Sequence, residues 1–305
     1  MRLQRLTNYL LSHRIIAMVA TFIVTFIPFV GVFGILFATL VTLRKGLVEG
    51  AMFTIAATLP YFLGFYVTGS HDDIPMFAWA AIGVAVVSNV LTWVFAVLLT
   101  RRVSWSAALQ IAALFGVLVI SVIHLVYPDV QDWWGVQLNS SYMQAADALK
   151  ATATSIEEQQ KAISLTKQYA TGLVVAAVLL IAFLQLVGAA WWRAIVFNPS
   201  SLRRELHNIR LSRLASALFV ASLVLSYLGN SVVLDIMPVL YLLFAAAGLS
   251  LIHYLFGLVT TPIVWFWLAL LYVTLIFAMP VSFVAVAILA LMDIWFDVRK
   301  KVKKG

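Results

Sequence analysis

Long runs without a charged residue divide this chain into segments of similar length. A helix that crosses roughly 30 Å of hydrocarbon needs about 20 consecutive, mainly apolar residues. The runs that meet this requirement are 51–70, 76–100, 103–128, 168–192, 214–234 and 236–259. They predict an all-α protein whose helices cross a membrane.

Two further apolar stretches are too long for one crossing, and each carries a proline near its middle. They occupy 15–43, centred on Pro28, and 262–292, centred on Pro280. Proline removes a backbone donor and clashes with the preceding turn, so each stretch is either one kinked helix or a hairpin. The prediction is a polytopic transmembrane helical bundle of eight to ten membrane segments, with kinked or hairpin end segments.

Charge placement distinguishes these alternatives, because lysine and arginine near the ends of spans stay on the cytoplasmic side. If both proline-centred stretches are hairpins, the spans number ten, both termini are cytoplasmic, and most of the 20 basic residues lie on that side. If both stretches are single helices, no orientation satisfies every charged cluster. The charges therefore favour ten segments, and eight long helices with bent ends are the alternative.

Composition excludes several classes of protein. Hydrophobic residues make up 64% of the 305 residues and charged residues only 10%, against about 45–50% and about 25% in soluble domains. A water-soluble enzyme, a disordered protein and a coiled coil are therefore excluded. The lipid bilayer is the predicted partner. No nucleic acid is expected, because the positive-inside rule already accounts for the net charge of +8.

The N-terminal arginines and the apolar run after them have the layout of a secretion signal. However, the run exceeds the usual length of about 7–15 residues, and no small-residue cleavage site follows it. We expect a retained first span, and a multi-pass protein of the bacterial cytoplasmic (inner) membrane.

Two segments lie outside the membrane in what is otherwise one transmembrane domain, 1–305. The segment 128–168 is predicted to be extracytoplasmic and helical. Capping boxes at 141–144 and 155–158 predict one helix over 142–151 and another that continues unbroken into the next span. An ordered cap over the outer face is expected, either with a ligand beneath it or as a solvated hairpin without one.

The segment 193–213 is predicted to be a cytoplasmic interfacial helix. Asn198 and Pro199 form a turn signal, after which apolar residues recur on one helical face and basic residues lie mostly off it. The apolar face comprises Leu202, Leu206, Ile209 and Leu214, and the basic residues are Arg203, Arg204, His207 and Arg210. Such a helix either anchors the chain on anionic lipid or docks a membrane or cytoplasmic partner protein.

Ionisable residues inside a span are costly and are therefore candidate sites. The candidates are Glu49, His124, Asp235, His253 and Asp293. For each of them a structural role is predicted ahead of a catalytic one. We expect Glu49 to pair with Arg44 or Lys45, and the GxxxG motif that ends at Gly50 permits close helix packing.

No sequence motif for catalysis is present. The chain has no HExxH, GxSxG or phosphate-binding loop, and without cysteine it has no thiolate metal site. No catalytic, metal or cofactor residues are assigned, and the protein is not predicted to be an enzyme. An intramembrane enzyme that uses His253 with Asp235 or Asp293 is the weakest alternative. Any transport would be secondary or driven by another subunit.

Several motifs in the last third of the chain resemble those of one family. They are Trp191-Trp-Arg193, Asn198-Pro199, Glu205, Arg210-Leu211, Gly248 to His253, and Met292 to Arg299. The chain resembles the YybS-like family of uncharacterised bacterial membrane proteins. It departs from that family's pattern where Ser200-Ser201 replace Gly-Gly and where Met292 replaces glycine.

The resemblance implies a function without naming a substrate. That family is similar to the S subunits of energy-coupling-factor transporters, which implies capture of a small-molecule solute from outside and a partner ATPase module. A non-transport scaffold for envelope or division machinery is the alternative. The motif residues are expected to meet as a structural clasp in which acids neutralise arginines. This cluster comprises Trp192, Arg193, Asn198, Pro199, Glu205, Arg210, Asp293, Trp295 and Arg299.

Overall fold

A computed structural model of the protein describes residues 2–27, 29–68, 76–149, 156–199, 201–259 and 261–304. Within these ranges the chain is helical and contains no β-strand, which confirms the predicted all-α class. The helices of the described residues are α1 (Arg2–Ser12), α2 (Arg14–Thr25), α3 (Val32–Lys45), α4 (Leu47–Thr68), α5 (Met76–Thr100), α6 (Trp105–Val126), α7 (Val130–Leu149), α8 (Ile156–Thr166), α9 (Ala170–Phe197), α10 (Ser201–Leu206), α11 (Arg213–Tyr227), α12 (Ser231–Phe256), α13 (Ile263–Phe277), α14 (Met279–Phe296) and α15 (Val298–Lys304).

Among the described residues, four helices are long and apolar enough to cross a membrane. They are α5 from Trp79 onward, α6, α9 and α12. The pair α1 and α2, bent by 115° at its break, would make a fifth if it counts as one span. Shorter apolar helices occupy Leu47–Leu63, Arg213–Tyr227, Ile263–Phe277 and Val281–Phe296. The helices α5, α6 and α9 match the apolar runs 76–100, 103–128 and 168–192 of the sequence. The last two runs are divided differently from the prediction, because α11 ends at Tyr227 and α12 begins at Ser231 and includes Asp235.

Each proline-centred stretch contains two helices rather than one. The first is divided between Thr25 and Val32, and Pro28 itself lies outside the described residues. The second is divided at Ala278, and Pro280 follows in the first turn of α14. Proline is tolerated there because the first N–H groups of a helix have no partner within it.

The chain divides into two compact units. The first unit comprises 1–108 and 177–209, and the second comprises 109–176 and 210–305. In the first unit, α2, α3, α4 and α5 pack against one another around a core that includes Ile35, Phe37 and Phe53.

Small residues bring the helices of the first unit close together. A Cβ atom added at Gly34 would overlap the Thr25 side chain, and one added at Gly50 would overlap Thr42. The two threonine hydroxyls donate to carbonyls of their own helices, so they remain satisfied in this tight contact. Gly46 instead ends α3 at a φ of +92°, so the predicted GxxxG motif does not form one helical face.

The second unit is organised around α12, which packs against α11, α14 and α15. Ala245, Leu275 and Val286 form a buried cluster there. Gly248 allows the close approach of α12 to α14, since a Cβ atom at that position would overlap the backbone oxygen of Val286.

The helix boundaries in the two polar segments differ from those predicted. The helix α7 begins at Val130 and passes through Ser141, whose hydroxyl donates to the Gln137 carbonyl and does not cap a helix. Three residues, 167–169, separate α8 from α9. Within 193–213 the structure has the end of α9, the six-residue α10, an irregular stretch and the first residue of α11. The helix that begins at Ser201 therefore ends at Leu206, and Leu214 lies in α11 instead.

Candidate functional site

The predicted cluster of nine residues is divided between the two units. The first unit contains Trp192, Arg193, Asn198, Pro199 and Glu205, and the second contains Arg210, Asp293, Trp295 and Arg299.

In the first unit, α10 places Glu205 beside the beginning of α6. Trp105 Nε1 donates a 2.7 Å hydrogen bond to Glu205 Oε2, and Arg193 Nη2 lies 4.0 Å from the same oxygen. Arg102, which follows α5 at a φ of +64°, lies nearby. These side chains line a cavity of about 390 Å³, which we call the arginine recess. Its polar lining is Arg102, Ser104, Ser106, Arg193, Glu205 and Asn208.

The other motif residues of the first unit have structural roles. Trp192 Nε1 donates a 3.0 Å hydrogen bond to Thr7 Oγ1, which joins α9 to α1. The Asn198 carbonyl accepts hydrogen bonds from the backbone and hydroxyl of Ser201 at 3.3 and 3.1 Å, where α10 begins. Pro199 is exposed in the turn between the two helices.

Glu49 pairs with Arg14 at 3.2 Å, so the predicted pairing with Arg44 or Lys45 is wrong. The Lys45 ammonium donates to a backbone oxygen of α1 at 2.8 Å, and the Arg44 guanidinium lies 4.0 Å from the centre of the Phe197 ring. Both basic groups thus have partners on other helices, on α1 and α9 respectively.

A buried network of neutral polar side chains joins three helices of the first unit. Asn89 Nδ2 donates to Thr58 Oγ1, and Gln185 Nε2 donates to Asn89 Oδ1, both at 3.2 Å. Thr92 Oγ1 donates to Gln185 Oε1 at 2.6 Å. Sequence reasoning missed this network because it considered only ionisable residues. An amide in the middle of an apolar run was the available signal.

Replacing Asn89 with alanine is expected to destabilise the protein by about 1 kcal/mol. Interhelical hydrogen bonds in membranes contribute about 0.6 kcal/mol on average and up to about 1.7, and the Gln185 amide would lose its acceptor. Melting temperatures in detergent would measure the loss. Val90→Ala, at an exposed position on the same helix, is the control, and equal melting of the two variants would contradict a stabilising network.

In the second unit, arginines hold the C-terminal end of α14. Arg299 Nε lies 2.9 Å from Asp293 Oδ2, and its Nη2 donates to Ser250 Oγ at 3.3 Å. Arg210 Nη2 donates to the Asp293 carbonyl at 2.7 Å, and its Nη1 donates to Asp297 Oδ1 at 2.8 Å. A cation that binds the last carbonyls of a helix is stabilising.

Two of these groups have shifted pKa values. A hydrogen bond from Lys300 lowers the pKa of Asp297, with Arg210 acting in the same direction. Burial lowers the pKa of Arg299, although Asp293 opposes that shift.

The predicted clasp is formed only in part among the residues of the second unit. Trp295 is exposed. Asp293 and Arg299 therefore form an acid–arginine pair of the kind expected for a clasp, while Arg210 engages the Asp293 backbone and a different carboxylate.

A second polar site in this unit brings together residues from three helices. His124 Nε2 lies 2.9 Å from Asp235 Oδ2, and both side chains are buried. The other oxygen of Asp235 accepts a 2.7 Å hydrogen bond from the Gly172 backbone N–H. This N–H lies in the first turn of α9, where it has no partner within the helix. Asp235 therefore satisfies a histidine and a helix N-terminus together, and we call these three residues the Asp235 junction.

Nearby contacts attach α7 to the same end of α9. Trp134 Nε1 donates a 2.9 Å hydrogen bond to Thr171 Oγ1, and Lys167 Nζ lies 2.8 Å from Asp132 Oδ1. The segment after α6 is therefore tied to the beginning of α9.

The structure does not form the acid–histidine pairs of the catalytic alternative. His253 Nδ1 lies 2.8 Å from the backbone oxygen of Leu249, and its Nε2 lies 3.1 Å from the Tyr272 hydroxyl. Asp235 is paired with His124 and Asp293 with Arg299. Within the described ranges, no group of three or more histidine, aspartate or glutamate side chains could hold a metal ion.

A hollow of about 600 Å³ opens where α6 ends and α7 begins. Tyr127, Asp129 and Trp133 supply its polar and aromatic lining, and Ile123 and Val126 are among its apolar lining. We call it the α6–α7 hollow. It combines two aromatic rings and one carboxylate at the end of a membrane-length helix.

No protein-family model, curated protein or solved structure matches this chain. The resemblance to the YybS-like family therefore stays a prediction.

Proposed function

We propose that the protein is a membrane-embedded subunit that binds a small organic solute in the α6–α7 hollow. The observation that supports this most directly is the hollow itself, since small-molecule sites typically have volumes of about 300–1,000 Å³. It adjoins the polar segment 128–168, which the sequence predicts to be extracytoplasmic. The solute would then be captured outside a bacterial inner membrane, in a chain with both termini in the cytoplasm.

The lining of the hollow indicates a solute that carries a positive charge. The faces of tyrosine and tryptophan rings attract ammonium groups within about 6 Å, and the Asp129 carboxylate adds a full opposite charge. Apolar side chains beside them favour an organic cation over a metal ion. Movement of the solute would be secondary or driven by another subunit, since the sequence lacks a phosphate-binding loop.

Organic cations are expected to raise the melting temperature of the detergent-purified protein, and uncharged isosteres are not. A ligand at 100 times its dissociation constant would add about 2.7 kcal/mol of stability. The test is a panel of primary amines and quaternary ammonium compounds, each beside a neutral compound of the same shape.

Asp129→Asn is expected to weaken binding of the active compound about tenfold or more, because the opposite charge is lost. Asp132→Asn is the matched control, since Asp132 is exposed and pairs with Lys167 instead. Equal responses to cations and isosteres, or an equal loss in both variants, would contradict the proposal.

A scaffold for envelope or division machinery is the second candidate. Arg203 and Arg204 are exposed on α10, so they are accessible to an acidic partner. A scaffold would show no stabilisation by the cation panel, and in-cell crosslinking would recover a partner set that depends on these two arginines.

A further inference from the structure

We propose that the arginine recess binds the phosphate group of an anionic phospholipid, with Arg102 and Arg193 as its phosphate-binding residues. This site is separate from the α6–α7 hollow and does not depend on the function proposed for it. The inference rests on the charge balance of the recess, on its apolar wall and on the ends of the helices that form it.

The charges that line the recess are not balanced. Two guanidinium groups and one carboxylate, Glu205, line it, and the carboxylate oxygen nearer to Arg193 already accepts the hydrogen bond from Trp105. Arg193 lies 4.0 Å from it, at the limit of an ion pair, and only 26% of the Arg193 side chain is exposed. A half-buried guanidinium with so distant a counterion can gain a bidentate contact from a phosphate.

The remaining polar groups suit the same ligand. Ser104, Ser106 and Asn208 line the recess and can donate hydrogen bonds to phosphate or glycerol oxygens. The volume of about 390 Å³ accommodates a headgroup, whereas one phosphate ion would leave most of it empty.

The position of the recess favours a lipid over a soluble phosphate compound. It lies where α5 ends, α6 begins and α9 approaches its end, and all three helices are of membrane-spanning length. The ends of such helices lie at the level of lipid headgroups, where tryptophan is also enriched. Trp105 lines the recess together with Leu99 and Val103, which provide apolar contact for the lipid beside its phosphate.

The test titrates the detergent-purified full chain with short-chain phosphatidylglycerol and follows its melting temperature. Phosphatidylcholine, glycerol 3-phosphate and inorganic phosphate at the same concentrations form the parallel arms. Phosphatidylglycerol is expected to stabilise the protein at concentrations at least tenfold lower than any of the other three. Equal stabilisation by the soluble phosphates would overturn the assignment to a lipid, and absence of any response would overturn the site.

Four variants separate the recess from general surface charge. Arg193→Gln and Arg102→Gln are each expected to weaken the phosphatidylglycerol response about tenfold. Arg101→Gln removes the same charge from the adjacent exposed residue, which does not line the recess, and should leave the response unchanged. Glu205→Gln retains an acceptor for Trp105 but removes the competing negative charge, so it should strengthen the response severalfold.

Two outcomes among these variants would refute the site. The first is a loss in Arg101→Gln as large as the loss in Arg102→Gln. The second is a weaker response in Glu205→Gln than in the unaltered protein. If Arg193→Gln fails to fold, the comparison of Arg101 with Arg102 decides alone, because both residues lie in the exposed turn after α5.

Discussion

Replacement of Gly172 with alanine is expected to destabilise the protein by about 3 kcal/mol or more. A Cβ atom at this position would overlap the backbone oxygen of Asp235 and lie 3.2 Å from Pro238 Cδ. A backbone oxygen cannot move aside by side-chain rotation, so α9 and α12 would have to separate locally. Overpacking typically costs about 1–3 kcal/mol, and the hydrogen bond from the Gly172 N–H to a carboxylate contributes about 1.5–3 more.

The loss would be measured as melting temperature and as the monodisperse fraction of detergent-purified protein. Gly83→Ala is a suitable control, because a Cβ atom at that position in α5 meets nothing within 4 Å. The control should be neutral or slightly stabilising, as alanine is favoured over glycine within a helix by about 0.5–1 kcal/mol. Melting of Gly172→Ala close to that of the control would show that the helices are not in close contact.

Asp235→Ala is expected to have an effect of comparable size, about 3–5 kcal/mol. The substitution removes both the hydrogen-bond partner of His124 and the acceptor for the Gly172 N–H, and both groups are then buried without that partner. Asp235→Asn should be milder, because its amide oxygen can still accept from Gly172. Thermal unfolding of the three proteins side by side would establish this order.

A double-mutant cycle isolates the histidine contact. The loss in the double variant His124→Ala/Asp235→Ala should be smaller than the sum of the two single losses, since each single variant already removes the contact between the two side chains. Strictly additive losses would mean that the two side chains do not interact. Val122→Ala, at an exposed position of α6, controls for a general effect of truncation on that helix.

The sequence was sufficient to predict the helical class and the location of most helices. Hydrocarbon solvates apolar side chains but no free backbone donor, so an uncharged run of membrane length has few alternatives to a helix. Breaks near Pro28 and Pro280 were also predictable in position. Whether each stretch forms one helix or two was left open, because a proline can kink a helix or begin the next one.

Partners of buried polar groups could not be predicted from spacing. Asp235 was recognised as a candidate, but its partner His124 is 111 residues away. Glu49 was assigned to its neighbours along the chain, whereas its partner Arg14 lies on another helix. Contacts between helices depend on how their faces are rotated, and in lipid that rotation follows from small residues such as Gly172 rather than from hydropathy.

Short sequence motifs predicted the wrong helix boundaries in the two polar segments, 128–168 and 193–213. The capping box at 141–144 has the right residues, but α7 has already begun at Val130 and continues through it. The interfacial helix predicted for 193–213 is shorter because Ile209 and Leu211 are buried in an irregular segment. An apolar residue near a membrane surface can therefore be buried by the protein itself, which periodicity alone does not reveal.

The left-handed backbone of Arg102 has a consequence for protein engineering. A residue other than glycine or asparagine at a φ of +64° carries an energetic penalty of about 1–2 kcal/mol, so any search for thermostabilising substitutions would select this position early. Glycine there would relieve the penalty and also delete one of the two guanidinium groups of the arginine recess. A variant optimised for heat resistance would then retain only Arg193 as the basic residue of the recess and, if the recess binds lipid as proposed, would bind anionic phospholipid more weakly.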